Sequence, residues 1–240
     1  MESIFTFSSS LLESALVGLT IVMALFIFQP RWLISIIALI FPGVIYFSKT
    51  TQKIIALTID DSPDSNTTPK LLEVLRYHHA RATFFIISDK VIKNELIISQ
   101  MVEQGHEIGN HLTKDEPSIK LSPEKFEEKL LEAHNILTQF SITYWLRPAS
   151  GLYNHMMIKI AQKYGYSVVL GSIFPLDTHI HSSWFASNHI LLNASPGSVI
   201  ILHDNGERGE RTALTLEKIL PELTRRGYRV VTLSELFLTY

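Results

Sequence analysis

Hydrophobic and polar residues alternate in blocks along most of this 240-residue chain. From residue 53 onward, short apolar runs recur, and segments with helical periodicity separate them. The apolar runs predict strands at residues 53–59, 82–88, 106–111, 144–149, 166–172, 197–203 and 228–233. The segments between them predict helices at residues 68–79, 93–104, 122–140, 154–165 and 212–227. This alternation predicts an α/β fold with parallel strands, either as an open sheet or closed into a barrel.

Local signals mark several ends of the predicted helices. Ser122 and Pro123 are typical of an N-cap residue followed by the first helical residue. Gly105, Gly165 and Gly227 fall where three of the helices should stop. These signals support the helix assignments independently of the hydrophobic pattern.

The N-terminal segment differs in kind from the rest of the chain. It contains two apolar runs without a charged residue, at 15–28 and at 33–47. Each run is shorter than the roughly 20 residues that comfortably span a bilayer. Together they predict a hydrophobic helical hairpin that anchors the chain in a membrane. The alternative is a buried hairpin that caps the soluble part of the chain.

We therefore expect a membrane-anchoring segment at residues 1–48 and a folded domain at residues 49–240. Arg31, in the turn between the two apolar runs, favours a cytoplasmic turn. The domain would then lie on the extracytoplasmic side of the membrane, whereas Lys49 and Lys53 argue weakly for the opposite orientation.

Composition restricts the classes of function. The net charge is −2 and the isoelectric point is about 6.6, so nucleic acid is not an expected partner. The chain has no cysteine, which excludes disulfides, zinc–thiolate sites and thiol catalysis. The mean hydropathy of +0.19 is high for a soluble enzyme, and the excess lies in the N-terminal segment.

Side chains that can carry chemistry follow the predicted strands at the point where each strand ends. In parallel α/β folds the carboxyl ends of the strands meet at one edge of the sheet, where binding and catalytic sites form. The polar residues that stand there are Asp60, Asp61, His111, Thr113, Asp115, Arg147, Ser150, Asp177, His179, His203 and Asp204. Carboxylates and imidazoles that converge on one rim predict a divalent-metal site with acid–base groups beside it.

The adjacent carboxylates Asp60 and Asp61 are the least expected feature of this rim. Because side chains alternate between the two faces of a strand, one carboxylate could bind a cation while the other moves a proton. Taken alone, this stretch is equally well explained as a solvated acidic turn. The polar groups at the other strand ends favour the functional explanation.

The ordered motifs TIDDSP, NHLTKD, RPASG, a later Asp and ILHD resemble those of the polysaccharide deacetylase family. This is the NodB-homology domain of family 4 of the carbohydrate esterases, and the resemblance runs from about residue 53 to 238. It implies a distorted (β/α) barrel of the NodB type. It also implies a metal-dependent hydrolase that removes N-acetyl, or O-acetyl, groups from an acetylated polysaccharide or oligosaccharide.

The resemblance implies catalytic roles for several of the candidates. Asp60 would be the general base, and Arg147 would orient it. His203 would be the general acid, with Asp177 tuning it. A backbone N–H near Ser150 would meet the developing oxyanion.

The resemblance also implies a metal site. Asp61 and His111 would be ligands of a divalent cation, with Zn²⁺ as the first expectation. The family usually places a second His four residues after the first, and here that position is Asp115. A carboxylate oxygen can replace imidazole as a zinc ligand, but the oxygen-rich set makes the identity of the metal an open question.

These departures leave a second hypothesis, a catalytically silent carbohydrate-binding barrel of the same fold. Its signs are Asp115 in the ligand position and Ser150 where the family usually has an aromatic residue. A binding module needs no general base, no general acid and no tuning carboxylate, yet the chain retains candidates for all three. An active deacetylase is therefore the favoured interpretation, while the glycan that it would act on is not readable from the sequence.

Overall fold

From residue 54 onward, strands and helices alternate in the described structure, a computed structural model that covers the backbone of residues 2–238 and the side chains from residue 13, except those of residues 26 and 238. The strands are β1 (Val44–Ile45), β2 (Ile54–Ser62), β3 (Thr83–Ile86), β4 (Glu107–Asn110), β5 (Trp145–Leu146), β6 (Ser167–Val169), β7 (Val199–His203) and β8 (Arg229–Val231). The helices are α1 (Glu2–Phe28), α2 (Arg31–Ile40), α3 (Thr68–Tyr77), α4 (Glu95–Glu103), α5 (Pro123–Leu137), α6 (His155–Lys163), α7 (Ser183–Asn193), α8 (Glu207–Arg225) and α9 (Leu233–Leu238).

The strands form one sheet in which all paired neighbours run parallel. Their order is β1-β6-β5-β4-β3-β2-β7, and β8 pairs with the first residues of β2. Two isolated bridges bring the far edges together, from Phe47 to Ser198 and from Ile173 to Ile200. The sheet therefore curls into a distorted barrel, which confirms the predicted parallel α/β fold.

Strand β2 shows how side-chain alternation separates the core from the site. Ile55, Leu57 and Ile59 are fully buried in the cluster that packs against helices α3, α4 and α8. Burying each of these side chains contributes about 1.5–3 kcal/mol. Thr58 and Asp60 alternate with them and face the barrel interior, where one guanidinium contacts both.

The predicted helix ends are confirmed. The Ser122 hydroxyl accepts a hydrogen bond from the Lys125 N–H at 3.3 Å and caps α5. A glycine in the left-handed region follows each of α4, α6 and α8, at Gly105, Gly165 and Gly227. The hydrophobic pattern did not predict α7 or α9. The buried face of α7 includes the polar residues Ser187 and His189, and α9 is only six residues long.

The prediction of membrane-spanning helices is not supported by the structure. Within the described part of the chain, no helix combines the length and the apolarity needed to cross a bilayer. Helix α2 has ten residues, which at about 1.5 Å per residue is roughly half of a 30 Å hydrocarbon core. The uncharged stretch of α1, residues 15–28, is also shorter than the roughly 20 residues that span a bilayer.

The sheet begins within residues 1–48, the segment that was expected to precede the folded domain. Strand β1 pairs with β6, and Tyr46, directly after β1, is buried. The connection between α1 and α2 also contacts the barrel, because the side chains of Gln29 and Arg31 hydrogen-bond to backbone groups of Phe174 and Pro196. Residues 29–48 therefore contribute to the folded body.

Candidate active site

The carboxyl ends of the strands surround a cavity of about 510 Å³. The predicted residues that line it are Asp60, Asp61, His111, Asp115, Arg147, Ser150 and His203. Asp177 is buried behind His203 and contacts it directly. A cleft of this size with a few convergent polar groups is typical of a small-molecule or sugar site.

Asp60 is held in place by a buried arginine. Nη1 of Arg147 donates to Asp60 Oδ1 at 2.6 Å and to the Thr58 hydroxyl at 2.7 Å. The remaining donors of the guanidinium bond to the carbonyls of Val169, at 3.1 Å from Nε, and of Leu170. A buried charge is tolerated only when its partners are complete. The sheet therefore fixes both members of this ion pair.

His203 is held by a carboxylate on its other side. Its Nδ1 lies 3.0 Å from both carboxylate oxygens of Asp177, and its backbone N–H donates to the same carboxylate at 3.1 Å. Because a carboxylate can only accept, Nδ1 carries a proton. Burial lowers the pKa of His203, but the charge and hydrogen bond of Asp177, with the charges of Asp60 and Asp61, outweigh it and raise the pKa to about 9. At neutral pH this ring is a proton donor.

Asp60 and His203 are register partners on the adjacent parallel strands β2 and β7. Neighbouring strands lie about 4.8 Å apart, so the two side chains stand at the same height on the cavity rim. One is a carboxylate beside an arginine, and the other is an imidazolium beside a carboxylate. This pair can accept a proton on one side of a bound group and deliver a proton on the other.

Asp61 and His111 form a second pair within the cavity. His111 Nε2 lies 3.5 Å from Asp61 Oδ1, while His111 Nδ1 donates to the Arg147 carbonyl at 2.6 Å. Burial raises the pKa of Asp61, but the hydrogen bond and charge of His111 outweigh it and lower the pKa to about 2. Arg208 also reaches this carboxylate, with Nη1 3.4 Å from Oδ2.

The predicted three-ligand metal site of Asp61, His111 and Asp115 does not form. Asp115 lines the cavity, yet among the described residues no three His, Cys, Asp or Glu side chains come close enough to bind one ion. That expectation came from the resemblance, which places a ligand four residues after His111. Leu112 has a φ of +62° and residues 111–115 are not helical, so this spacing does not bring the two side chains onto one face.

Four non-glycine residues in or near the cavity wall have left-handed φ values. They are Asp61 (+67°), within β2, and Leu112 (+62°), Ser150 (+66°) and Leu176 (+58°), in the segments that follow β4, β5 and β6. Such conformations cost about 1–3 kcal/mol each and persist where the surrounding structure holds them, typically at functional sites. Ser150 is exposed to the cavity in this conformation, beside the Arg147 motif.

Sequence reasoning missed several residues of the cavity wall: Tyr46, Phe174, His179 and Arg208. Tyr46 lies in the apolar run at 33–47 that was predicted to form part of the membrane hairpin; its hydroxyl in fact hydrogen-bonds to that of Tyr153 at 2.5 Å. Arg208 could have been suspected, because it follows His203 closely at the start of α8. His179 follows a predicted strand but matches no position of the family motifs, and Phe174 carries no local signal.

Comparison with known proteins identifies the family to which this site belongs. The sequence model described as polysaccharide deacetylase matches residues 47–169. A peptidoglycan-N-acetylglucosamine deacetylase of Bacillus cereus is 39% identical over 188 residues, which is 77% of this chain and 88% of that protein. The chain belongs to the polysaccharide deacetylase family. A peptidoglycan-N-acetylmuramic acid deacetylase of Bacillus subtilis is 28% identical, over 80% of this chain and 74% of that protein.

Solved structures agree with this assignment. The crystal structure of a peptidoglycan N-acetylglucosamine deacetylase superposes with a TM-score of 0.78 at 29% identity, covering 82% of this chain and 94% of that one. The resemblance seen in the sequence motifs and the NodB-type barrel are thereby confirmed. As a member of the polysaccharide deacetylases, the chain is a hydrolase of acetylated polysaccharide. The family match ends at residue 169, so the contact between Asp177 and His203 extends the site beyond it.

Proposed function

We propose that the chain removes N-acetyl groups from the amino sugars of peptidoglycan, with Asp60 as general base and His203 as general acid. The observation that carries this proposal is the register pairing of Asp60 with His203, each held by a residue of opposite charge. The names of the relatives supply the substrate class, since they include deacetylases of both N-acetylglucosamine and N-acetylmuramic acid in peptidoglycan.

The reaction adds water across the amide of the N-acetyl group. Asp60 would accept a proton from the water that attacks the acetyl carbonyl, and Arg147 would keep the carboxylate aimed at it. His203 would donate its proton to the departing nitrogen as the C–N bond breaks, leaving acetate and a free amine. The backbone N–H near Ser150 would donate to the oxyanion that forms on the carbonyl oxygen.

Metal dependence is part of the proposal. Asp61 and His111 fit two positions of a divalent-cation site, because His111 Nδ1 is tied to a backbone carbonyl in the way that is usual for histidine ligands. Asp115 would join them only if residues 112–115 rearranged. When bound there, a cation such as Zn²⁺ supplies a Lewis acid that polarises the acetyl carbonyl.

A peptidoglycan substrate would have the chain working outside the cytoplasm. Protease added to intact cells whose wall has been removed should then degrade the chain, while a cytoplasmic marker survives. Survival of both proteins would contradict this part of the proposal.

The activity is tested by acetate release from purified peptidoglycan, with and without added Zn²⁺. Replacing Asp60 with Asn should reduce the rate by at least about 10²-fold, because general-base assistance is lost. Asp89→Asn makes the same chemical change at an acid outside the cavity and serves as the control. Mass spectrometry of the released fragments identifies which amino sugar has lost its acetyl group.

The same experiment tests the silent-barrel hypothesis. A wild-type chain that binds peptidoglycan but releases no acetate with any divalent metal would favour a binding protein. Equal rates for wild type and Asp60→Asn would remove the proposed base.

A further inference from the structure

Gln29, in the connection between α1 and α2, hydrogen-bonds to both backbone polar groups of Phe174. Its side-chain Nε2 donates to the Phe174 carbonyl at 2.6 Å, and its Oε1 accepts from the Phe174 N–H at 2.9 Å. Gln29 itself has a φ of +38°, a sparsely populated conformation for a residue with a side chain. The connection is therefore held in an uncommon shape at the point where it meets the barrel.

Phe174 begins the loop that leads to Asp177, the hydrogen-bond partner of His203. Ile173 before it is tied to β7 by the bridge to Ile200. Pro175 after it has no N–H, and Leu176 adopts a left-handed φ of +58°. A buried or half-buried backbone needs partners for its polar groups. The Gln29 side chain supplies both partners at the first turning point of the loop.

The loop contacts His203 in two ways. The Phe174 ring lies edge-on to the His203 ring, with centroids 6.1 Å apart and planes at 74°. Three residues later, the Asp177 carboxylate hydrogen-bonds to His203 Nδ1 and to its backbone N–H. A shift of the Phe174 backbone would therefore disturb both the packing and the hydrogen bonding of His203.

We infer that Gln29 is a positioning residue for the general acid. It holds the loop from Phe174 to Asp177 so that His203 keeps its proton-donating orientation toward the substrate. This inference rests on the proposed function of His203. It assigns a catalytic consequence to the N-terminal connection, which lies outside the residues matched by the family model.

The helices on either side of this connection have other anchors, which do not lead to the cavity. Arg31 donates to the Pro196 carbonyl, and Asn193 Nδ2 donates to the Ile27 carbonyl at 3.2 Å. None of these residues lines the cavity. Asn193→Ala therefore loosens the N-terminal helix without touching the loop, which makes it a matched control for Gln29.

The test uses the full chain with Gln29→Met, which keeps an unbranched side chain of similar length and removes both hydrogen bonds. Its kcat on an N-acetylated glycan should fall about ten-fold with KM within about two-fold, since two hydrogen bonds are lost away from the substrate. Its rate on an activated aryl acetate should change by less than about two-fold, because that leaving group needs no proton. Asn193→Ala should keep both rates.

Hydrogen exchange gives a second readout that does not depend on activity. Amide hydrogens of residues 172–178, apart from Pro175, should exchange faster in Gln29→Met than in wild type and in Asn193→Ala. If wild type releases no acetate, the proposed function fails, and exchange still decides whether Gln29 holds the loop. Unchanged exchange at Phe174 would overturn the inference. Equal losses on both substrates would also overturn it, because Gln29 would then be a general structural tie.

Discussion

The two halves of the site are built in different ways. On the base side, Asp60 extends from the interior face of β2 and Arg147 follows β5, so two strands of the sheet align them. On the acid side, His203 ends β7, but its partner Asp177 lies on a loop. That loop is held from outside the sheet, by Gln29 of the N-terminal connection.

Because of this difference, we expect substitutions on the two sides to affect the stability of the fold and the activity to different extents. The Arg147–Asp60 pair is buried in the barrel, so breaking it should weaken the fold and the chemistry together. The acid side is less embedded, since the His203 side chain keeps 13% of its exposure. Changes there should alter the rate and its pH dependence more than the free energy of unfolding.

The largest effect is expected on the base side, for Arg147→Met. This change leaves the Asp60 carboxylate buried without its partner, which should lower the free energy of unfolding by about 3–5 kcal/mol and abolish acetate release. Urea unfolding and acetate release from peptidoglycan measure the two consequences. Arg208→Met is the control, because Arg208 is about one-third exposed and its contact with Asp61 is long, at 3.4 Å. That variant should lose at most about 1 kcal/mol.

If Arg147→Met unfolded at the urea concentration of wild type, the base side would not be part of the folding core. The contrast between the two halves would then have to be abandoned.

A smaller and more selective effect is expected for His203→Ala on the acid side. Turnover of an N-acetylated sugar should fall by about 10²–10⁴-fold, the usual contribution of a general acid. The rate on an aryl acetate, whose leaving group departs without a proton, should fall far less. Parallel assays on the two substrates measure the ratio, and similar losses on both would mean that His203 is not the acid.

The same contrast explains which parts of the site were predictable from sequence. Asp60 and Arg147 stand where strands end, and a parallel sheet brings such positions together whatever the intervening loops do. Strand alternation also separates Asp60 from the core residues on either side of it. The base side could therefore be predicted from periodicity and from the family motifs.

The other parts of the site depend on the geometry of loops, which the sequence motifs do not specify. Asp115 was expected to be a metal ligand because of its place in the family motif, four residues after His111, but the left-handed Leu112 keeps the intervening backbone out of a helical turn. Gln29 and Phe174 are 145 positions apart, so no local pattern connects them. The apolar composition around Tyr46 suggested a membrane, whereas β1 places that residue in the cavity wall.

The smallest effect is a displacement of the pH profile in Asp177→Asn. Donation requires the protonated ring, so wild-type activity should persist below the raised pKa of His203 and fall as the pH rises through about 9. Removing the Asp177 charge leaves only Asp60 and Asp61 to favour the imidazolium against burial. In Asp177→Asn, the basic limb of the pH profile of kcat should then shift to lower pH by about one unit or more. Asp89→Asn should leave this limb in place. An unmoved limb in Asp177→Asn would show that another group sets it, and that the loop held by Gln29 does not tune the acid.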